Sequence, residues 1–200
     1  MKQAVAVSLL VLALAGRLSA QDVTEPKSGA KFPAKVEDKS LLGVGLRTKT
    51  FLKVQVYALG LYVADSALSG ALAIHKGKTD APAFYHELVA GDFPKQVTLR
   101  FLRDLSASQI QEAMREALPG ADKGRVDTFV SYFPAIQSGQ ECVLKWVPGG
   151  TLETVMAGQA RPPIADKAFA SAVFAIWLGE KPIQDDLKKA AVSRAGELVR

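Results

Sequence analysis

Arg47 and Tyr57 stand on either side of a short polar turn in a largely apolar stretch of the sequence, LLGVGLRTKTFLKVQVYALGLYV. Arg47 is a permanent cation whose planar guanidinium can bind a carboxylate through two parallel hydrogen bonds. Tyr57 is a phenol that adds one further donor. If residues 41–47 and 51–63 pair as a hairpin, the two side chains lie on adjoining strands. Together they could then hold an anionic group at the end of an apolar cavity.

The same two residues also fit an ordinary surface and an ordinary core. An arginine at a strand end is usually exposed, and Lys49 follows closely in the sequence. Tyr57 would then be an amphipathic core residue. The spacing does not decide between the two interpretations, because the intervening turn breaks the alternation of faces along a strand. From these residues alone, the ordinary interpretation is favoured.

Patterns typical of catalysis or metal binding are missing from the sequence. His75 and His86 lack the HxxH or HExxH spacing of a metal site, and both are expected on the surface. The Gly-x-Gly before Leu46 is not followed by the helix of a nucleotide loop, so its glycines indicate close packing. The only cysteine, Cys142, is expected to be a small buried hydrophobe. We therefore predict no catalytic residue, no metal and no cofactor.

The elements that must position Arg47 and Tyr57 are mostly strands. Residues 36–47 and 51–64 are predicted strands around a short polar turn, and KQVTLRFL and ECVLKWVPGGTLETVMAG add three more. SASQIQEAMREAL predicts an amphipathic helix with a capping box, and DKGRVDTFVSYFPAI predicts a second helix. DKAFASAVFAIWLGEKP predicts a helix capped near Asp166, followed by a more polar one over 184–199. Because strands and helices do not alternate regularly, we expect an α+β fold with an antiparallel sheet and helices on one face.

The first twenty residues, MKQAVAVSLLVLALAGRLSA, have the form of a secretory signal peptide. Cleavage is expected after Ala20, which predicts a periplasmic or secreted protein. An uncleaved membrane anchor is the alternative, although the apolar run is short for a bilayer. Residues 21–35 are polar with two prolines and predict a flexible leader, and residues 36–200 predict one domain.

Charge and composition limit the partners. The formal net charge of +5 falls to +3 without residues 1–20, and the basic residues are scattered among acids. Nucleic-acid binding, which needs a dense basic stripe, is therefore not expected. No later stretch is apolar enough to predict stable membrane insertion after signal cleavage.

Three segments, GVGLRTKTFLKVQVYALGLYV, VTLRFLRDLSASQI and FASAVFAIWLGEKPIQDDLKKA, resemble the chalcone isomerase-like superfamily, in particular its exported bacterial members. The likeness extends over about residues 32–189. It implies an open-faced β-sandwich in which helices pack on a long antiparallel sheet. Some plant members of the family cyclise chalcones to flavanones, whereas others bind fatty acids without known catalysis.

The resemblance also implies roles for single residues. Arg47 matches the arginine that holds the substrate in the isomerases and the carboxylate in the fatty-acid binders. Tyr57 matches a tyrosine of the fatty-acid binders that is a threonine in the isomerases. Three polar positions of the isomerases are apolar here: Ile110 replaces a tyrosine, Ala117 an asparagine and Ile176 a threonine.

The resemblance thus favours a monomeric, non-catalytic protein that binds a fatty acid or a similar amphipathic carboxylate. Arg47 and Tyr57 would hold the head group, while Ile110, Ile176 and Trp177 would line the pocket. The alternative is a chalcone isomerase-type intramolecular lyase acting on an enone, with Arg47 clamping the developing oxyanion. A structural or partner-binding protein is the third interpretation, and it predicts a filled core beside Arg47.

Overall fold

The computed structural model describes residues 21–50 and 52–200. The predicted signal peptide and Phe51, the first residue of the second predicted strand, lie outside these residues. The strands are β1 (Asp22–Thr24), β2 (Lys31–Pro33), β3 (Lys35–Val36), β4 (Lys39–Lys49), β5 (Val54–Ala64), β6 (Lys95–Phe101), β7 (Glu141–Val147), β8 (Thr151–Met156), β9 (Gln159–Ala160) and β10 (Ile164–Ala165). The helices are α1 (Asp65–Leu68), a 3-10 turn (Ala73–His75), α2 (Pro82–Ala90), α3 (Ala107–Glu116), α4 (Lys123–Ser131), α5 (Lys167–Leu178), α6 (Asp185–Ala191) and α7 (Ala195–Leu198).

Eight strands form one antiparallel sheet in the order β10-β8-β7-β6-β5-β4-β3, with the short β9 pairing with β8. The long β4–β5 hairpin that the sequence predicts lies within this sheet. Strands β4 to β8 are neighbours in the sheet in the same order as in the sequence, although helices lie between some of them along the chain. The predicted α+β class and its antiparallel sheet are therefore confirmed.

The sheet buries its two faces against different partners. On β5, Tyr57, Leu59 and Leu61 belong to the large core that the helices complete, because alternate side chains of a strand point to one face. Ala58 and Tyr62, which point to the opposite face, belong to a smaller cluster. The helices thus gather on one face, as in an open-faced sandwich.

Residues 21–35 differ from the flexible leader that the sequence predicts. Here β1 and β2 pair as a short antiparallel ladder. Phe32 on β2 is only 1% exposed and belongs to the smaller cluster on the outer face of the sheet. Gly60 leaves room for it, since a Cβ at that position would come within 2.7 Å of the Phe32 ring. One buried aromatic ring outweighs the polar composition around it.

Most predicted helices are confirmed, with two differences. Both halves of the predicted capping box close the start of α3, and the Asp166 carboxylate accepts a hydrogen bond from the backbone N–H of Phe169 at the start of α5. The single helix predicted over 184–199 is two helices, α6 and α7, separated by residues 192–194. The sequence did not predict α2, whose Phe84 and its neighbours are buried against the core.

The histidines and the cysteine are ordinary structural residues. His86 is exposed, as predicted. The surface position predicted for His75 is wrong, because its ring packs edge-on to Phe84 at 5.7 Å and is half-buried. Cys142 is fully buried, and this burial raises the pKa of its thiol. Among the described residues, no helix is long and apolar enough to cross a bilayer, and no cluster of potential ligands could hold a metal ion.

Candidate ligand-binding site

A cavity of about 850 Å³ lies between the helix-covered face of the sheet and helices α3 and α5. The start of β5, the end of β6 and both helices supply its apolar wall, which includes Val56, Phe101, Ile110, Met114, Ala117 and Ile176. Arg47 and Tyr57 also line it. Ligand pockets for small molecules typically measure about 300–1,000 Å³, so this space is large enough for a substantial ligand.

Arg47 and Tyr57 are direct cross-strand partners in the β4–β5 ladder. Residues that face each other in an antiparallel pair point to the same side of the sheet. Both side chains therefore point toward the cavity side, which the sequence spacing alone did not decide. A register shift follows immediately, between Arg47 and Thr48, and two further pairs, Thr48 with Gln55 and Lys49 with Val54, lead to the hairpin tip.

The guanidinium of Arg47 is held by neutral groups. Its Nη1 donates to the carbonyl oxygen of Thr48 at 2.6 Å and to Oε1 of Gln184 at 3.2 Å. Arg47 is half-buried, and no carboxylate of residues 21–50 or 52–200 lies within ion-pair distance of it. Within the same residues, its Nε and Nη2 atoms have no hydrogen-bond acceptor. This free edge has the fork geometry that matches a carboxylate.

Two glycines explain how Gln184 reaches Arg47. A Cβ on Gly43 would collide with the carbonyl oxygen of Ala190 in α6, and one on Gly45 would come within 2.6 Å of Leu187. Helix α6 can therefore pack directly on β4. Oε1 of its N-cap residue, Gln184, accepts a hydrogen bond from the backbone N–H of Thr48 at 3.0 Å and another from Arg47 at 3.2 Å. The close-packing interpretation of the Gly-x-Gly motif is confirmed.

Tyr57 is buried behind the guanidinium and has a partner for one side of its hydroxyl. Nε1 of Trp177 donates to the Tyr57 hydroxyl oxygen at 2.9 Å. Burial raises the pKa of Tyr57 to about 12, against the opposing effects of the Trp177 N–H and the charge of Arg47. Tyr57 therefore stays a neutral phenol at physiological pH. Because its oxygen accepts from Trp177, its own proton is available to a group in the cavity.

The structure brings four of the five sequence-predicted site residues to the cavity wall: Arg47, Tyr57, Ile110 and Ile176. The fifth, Trp177, is placed differently. It is only 1% exposed and contacts the site through Tyr57, so the prediction that it lines the pocket is corrected to a supporting position. Adjacent positions on a helix point about 100° apart, which is why Ile176 and Trp177 do not share one surface.

Sequence reasoning missed the role of Gln184. Nothing in the local pattern pairs a helix-capping glutamine with an arginine more than a hundred residues earlier. It also missed Phe101 and Met114, which line the wall from β6 and α3. Met114 lies on the predicted apolar face of α3, and that face was the available signal.

The rim of the cavity carries charges of both signs. Lys49, Arg103 and Lys181 are exposed and basic, whereas Glu112, Glu116 and Glu180 are exposed and acidic. Exposed charges in high dielectric interact weakly and are screened by salt. Arg47 is the cation that the surrounding protein partly withdraws from water, so it dominates the electrostatics of the interior wall.

The fold and the site together define an antiparallel α+β domain whose helices cover one face of the sheet and enclose an apolar cavity with Arg47 in its wall. The chain belongs to the chalcone isomerase-like family, whose model matches residues 21–191. The recognised motifs and the observed fold therefore agree on the family.

Relatives in this family have different names. The chain is 29% identical over 175 residues to chalcone isomerase-like protein 1 of Humulus lupulus, a match that covers 78% of this chain and 82% of that protein. It is 24% identical to fatty-acid-binding protein 1 of Arabidopsis thaliana, covering 90% and 73%. It is also 24% identical to chalcone–flavanone isomerase 2 of Lotus japonicus, covering 92% and 94%.

The fold is shared with a solved structure. The crystal structure of a fatty-acid binding protein of Arabidopsis thaliana superposes with a TM-score of 0.77 at 22% identity, covering 90% of this chain and 99% of that chain. At this identity the likeness shows the fold. Family membership alone leaves both a binding protein and an isomerase open, so the function has to be argued from the site.

Proposed function

We propose that this protein binds a fatty acid or a similar amphipathic carboxylate and does not catalyse a reaction on it. The observation that carries the proposal is Arg47, a half-buried cation with no carboxylate partner among the described residues, at the wall of an apolar cavity. Burying a charge without a counter-charge is costly. A ligand that brings a carboxylate offsets this cost, which favours anionic over neutral ligands.

The head group of the ligand would meet two donors. Nε and Nη2 of Arg47 offer parallel N–H bonds to the two carboxylate oxygens. The Tyr57 hydroxyl adds a third bond, and Trp177 fixes its orientation by donating to its oxygen at 2.9 Å. Gln184 holds the guanidinium from the opposite side. The donors are thus preorganised, so little side-chain ordering remains to be lost on binding.

The tail of the ligand would lie against the apolar wall between α3 and α5. Burying about twelve methylenes at roughly 0.8 kcal/mol each gives on the order of 10 kcal/mol before the costs of association. Losses of translational and conformational freedom reduce this value, so a dissociation constant in the micromolar range is expected.

The isomerase alternative makes a different demand on the same cavity. It needs polar groups that orient a water or a ketone oxygen in the transition state. Ile110, Ala117 and Ile176 all line the cavity, and each replaces a polar residue that the resemblance gives to the isomerases. An apolar wall at these three positions suits a hydrocarbon tail and supports the binding function.

The proposal is tested by ligands that differ only in the head group. Palmitate, hexadecanol and methyl palmitate should be titrated into wild type, Arg47→Met and Arg115→Met. Arg115 is an exposed residue of α3 whose ion pair with Asp127 is long, at 3.6 Å, so it is a matched control. Wild type and Arg115→Met should prefer palmitate, whereas Arg47→Met should lose this preference by about tenfold or more.

Two outcomes would overturn the proposal. One is equal affinity of wild type and Arg47→Met for palmitate, because the guanidinium would then not hold the head group. The other is a faster loss of chalcone absorbance with the protein than without it, which would favour the isomerase. Native mass spectrometry of the purified protein adds an independent measurement, since an adduct with the mass of a fatty acid or similar carboxylate should accompany wild type.

The proposed place of action is the periplasm or the exterior, with residues 1–20 removed. The support is the form of the amino-terminal sequence. The intact mass of the protein recovered from its host tests this: a chain beginning at Gln21 is expected, and a chain retaining residues 1–20 would contradict it.

A further inference from the structure

The tip of the β4–β5 hairpin combines an exposed aliphatic side chain with flanking lysines. Leu52 is 70% exposed, and Lys49 and Lys53 beside it are exposed as well. The backbone N–H of Lys53 donates to the carbonyl oxygen of Thr50 at 3.1 Å and closes the turn. A single exposed leucine is common on protein surfaces, but here it stands between two exposed lysines at the end of a projecting hairpin, and this makes the tip amphipathic.

The backbone of this turn is also unusual. Thr50 has φ of 68° and Lys53 has φ of 51°, both in the left-handed region. Thr50 is β-branched, and a β-branched residue rarely adopts this conformation. Such strain tends to persist where it serves a function. Here it accompanies a turn that leaves Leu52 in solvent.

The hairpin has charge of one sign. From Lys39 to Ala64 the sequence contains no acidic residue, and Arg47, Lys49 and Lys53 gather at the tip end. Across the cavity rim, α3 contributes Glu112 and Glu116 instead. The hairpin therefore carries only positive charge, whereas the rest of the rim carries both signs, with Arg103 and Lys181 beside the glutamates.

We propose that the tip of the β4–β5 hairpin docks reversibly on an anionic lipid bilayer. A leucine at the level of the head groups buries its side chain, and lysines extend their alkyl stems along the apolar region while their charges stay with the lipid phosphates. Each basic residue near such a surface contributes attraction that salt screens. A single leucine is too small for a stable protein interface, which buries about 800 Å² on each partner.

The docked tip would bring the cavity to the lipid surface. Lys49 and Thr50, at the base of the turn, themselves line the cavity next to Arg47. A fatty acid could then pass between bilayer and cavity without crossing bulk water, a consequence that rests on the proposed function. Docking itself depends only on the residues of the tip.

The chain contains a natural control. Ile74 is 80% exposed and is followed by Lys76 and Lys78, so its side-chain chemistry is similar. It follows the other end of β5, however, and a strand of 11 residues is about 35 Å long. Ile74 does not line the cavity. The proposal therefore assigns docking to Leu52 and not to Ile74.

The test uses sedimentation with vesicles of phosphatidylcholine, alone or mixed with phosphatidylglycerol. Wild type should bind the mixed vesicles, bind the neutral ones at least tenfold more weakly, and dissociate as salt increases. Leu52→Ser with Lys53→Gln should weaken binding to the mixed vesicles by about tenfold or more. The matched pair Ile74→Ser with Lys76→Gln should change it by less than about twofold.

The outcomes separate docking from ligand binding. Loss of vesicle binding in the Ile74 variant, or retention in the Leu52 variant, would overturn the assignment to the tip. A dimer of wild type that the Leu52 variant breaks would instead identify a second copy as the partner. Palmitate binding without vesicles should be equal in wild type and the Leu52 variant. Vesicle binding without palmitate binding would refute the proposed function and leave docking intact.

Discussion

Tyr57 and Trp177 are joined by one hydrogen bond but have different roles in the site. Trp177 donates to the hydroxyl of Tyr57, and that hydroxyl is free to donate into the cavity. Only Tyr57 can therefore bond to a ligand, whereas Trp177 sets the orientation of its hydroxyl. Substituting either residue removes the same bond between them, but the consequences for ligand binding differ.

Tyr57→Phe should weaken the binding of palmitate by about five- to tenfold, because it removes one charge-assisted hydrogen bond. It should also destabilise the protein by about 1–3 kcal/mol, since the buried Trp177 N–H loses its acceptor. Trp177→Phe should leave the affinity within about twofold, because Tyr57 keeps its proton. Isothermal titration and urea unfolding measure both effects. An equal loss of palmitate affinity in Tyr57→Phe and Trp177→Phe would contradict the assignment of ligand binding to Tyr57 alone.

The sequence predicts individual residues best where a motif fixes the backbone. Arg47 follows two glycines that have to accommodate a helix, and Ile110 lies on a helix face with a clear period. Whether Trp177 faces the cavity was harder to predict, because the apolar residues of α5 cover several sides of the helix. The role of Gln184 could not be predicted from the sequence, because its contacts with Thr48 and Arg47 join segments that are distant along the chain.

At the scale of elements, the packing of α6 on β4 positions the site. The two surfaces meet at Gly43 and Gly45, which lack the side chains that would keep the helix away. The N-terminus of α6 then presents Gln184 to Arg47. Displacing the helix should therefore affect stability and ligand binding together, although Gly43 does not line the cavity.

Gly43→Ala should destabilise the protein by about 1–3 kcal/mol, because the new methyl group collides with the carbonyl oxygen of Ala190. The affinity for palmitate should fall severalfold as Gln184 moves. Gly124→Ala in α4 is the control: its Cβ would lie 3.3 Å from the Asp122 side chain and would meet no backbone atom of another element. Thermal unfolding should show a clear loss of stability for Gly43→Ala and a much smaller change for Gly124→Ala. A Gly43→Ala protein as stable as wild type would refute the role of this contact.

Elements were predictable where local chemistry marks their ends. The capping box of α3 and the Asp166 cap of α5 are local signals, and both helices begin where these signals lie. Helix α2 was not predicted although Phe84, Tyr85 and Leu88 lie on one helix face, because a helix of 9 residues repeats that pattern too few times to be distinctive. The β1–β2 ladder also depends on tertiary contact, since Phe32 is buried only against the sheet.

For the molecule as a whole, Lys95 joins the sheet to the helices. It is 0% exposed, and its Nζ donates to the carbonyl oxygen of Gly91 at 2.7 Å, at the C-terminus of α2. The ring of Trp146 lies 4.0 Å away and that of Phe174 5.4 Å away. These carbonyl and aromatic contacts favour the ammonium, while burial opposes it.

Burial lowers the pKa of Lys95 to about 7, against the opposing charges of Glu87 and Asp92, and the nearby Lys167 lowers it further. In the unfolded chain a lysine titrates near about 10.4. Between these two values the unfolded chain binds more protons than the native protein, so stability should rise with pH. The direction is opposite to that of a lysine stabilised by an ion pair.

The measurement is urea unfolding of wild type and Lys95→Met between about pH 7 and pH 10. Other titrating groups contribute to both proteins, so the difference between their free energies of unfolding isolates Lys95. As the pH rises, the free energy of unfolding of wild type should increase relative to that of Lys95→Met by up to about 1.4 kcal/mol per pH unit. Parallel curves would mean that Lys95 keeps its proton in the native core. The rings and the carbonyl of Gly91 would then outweigh desolvation.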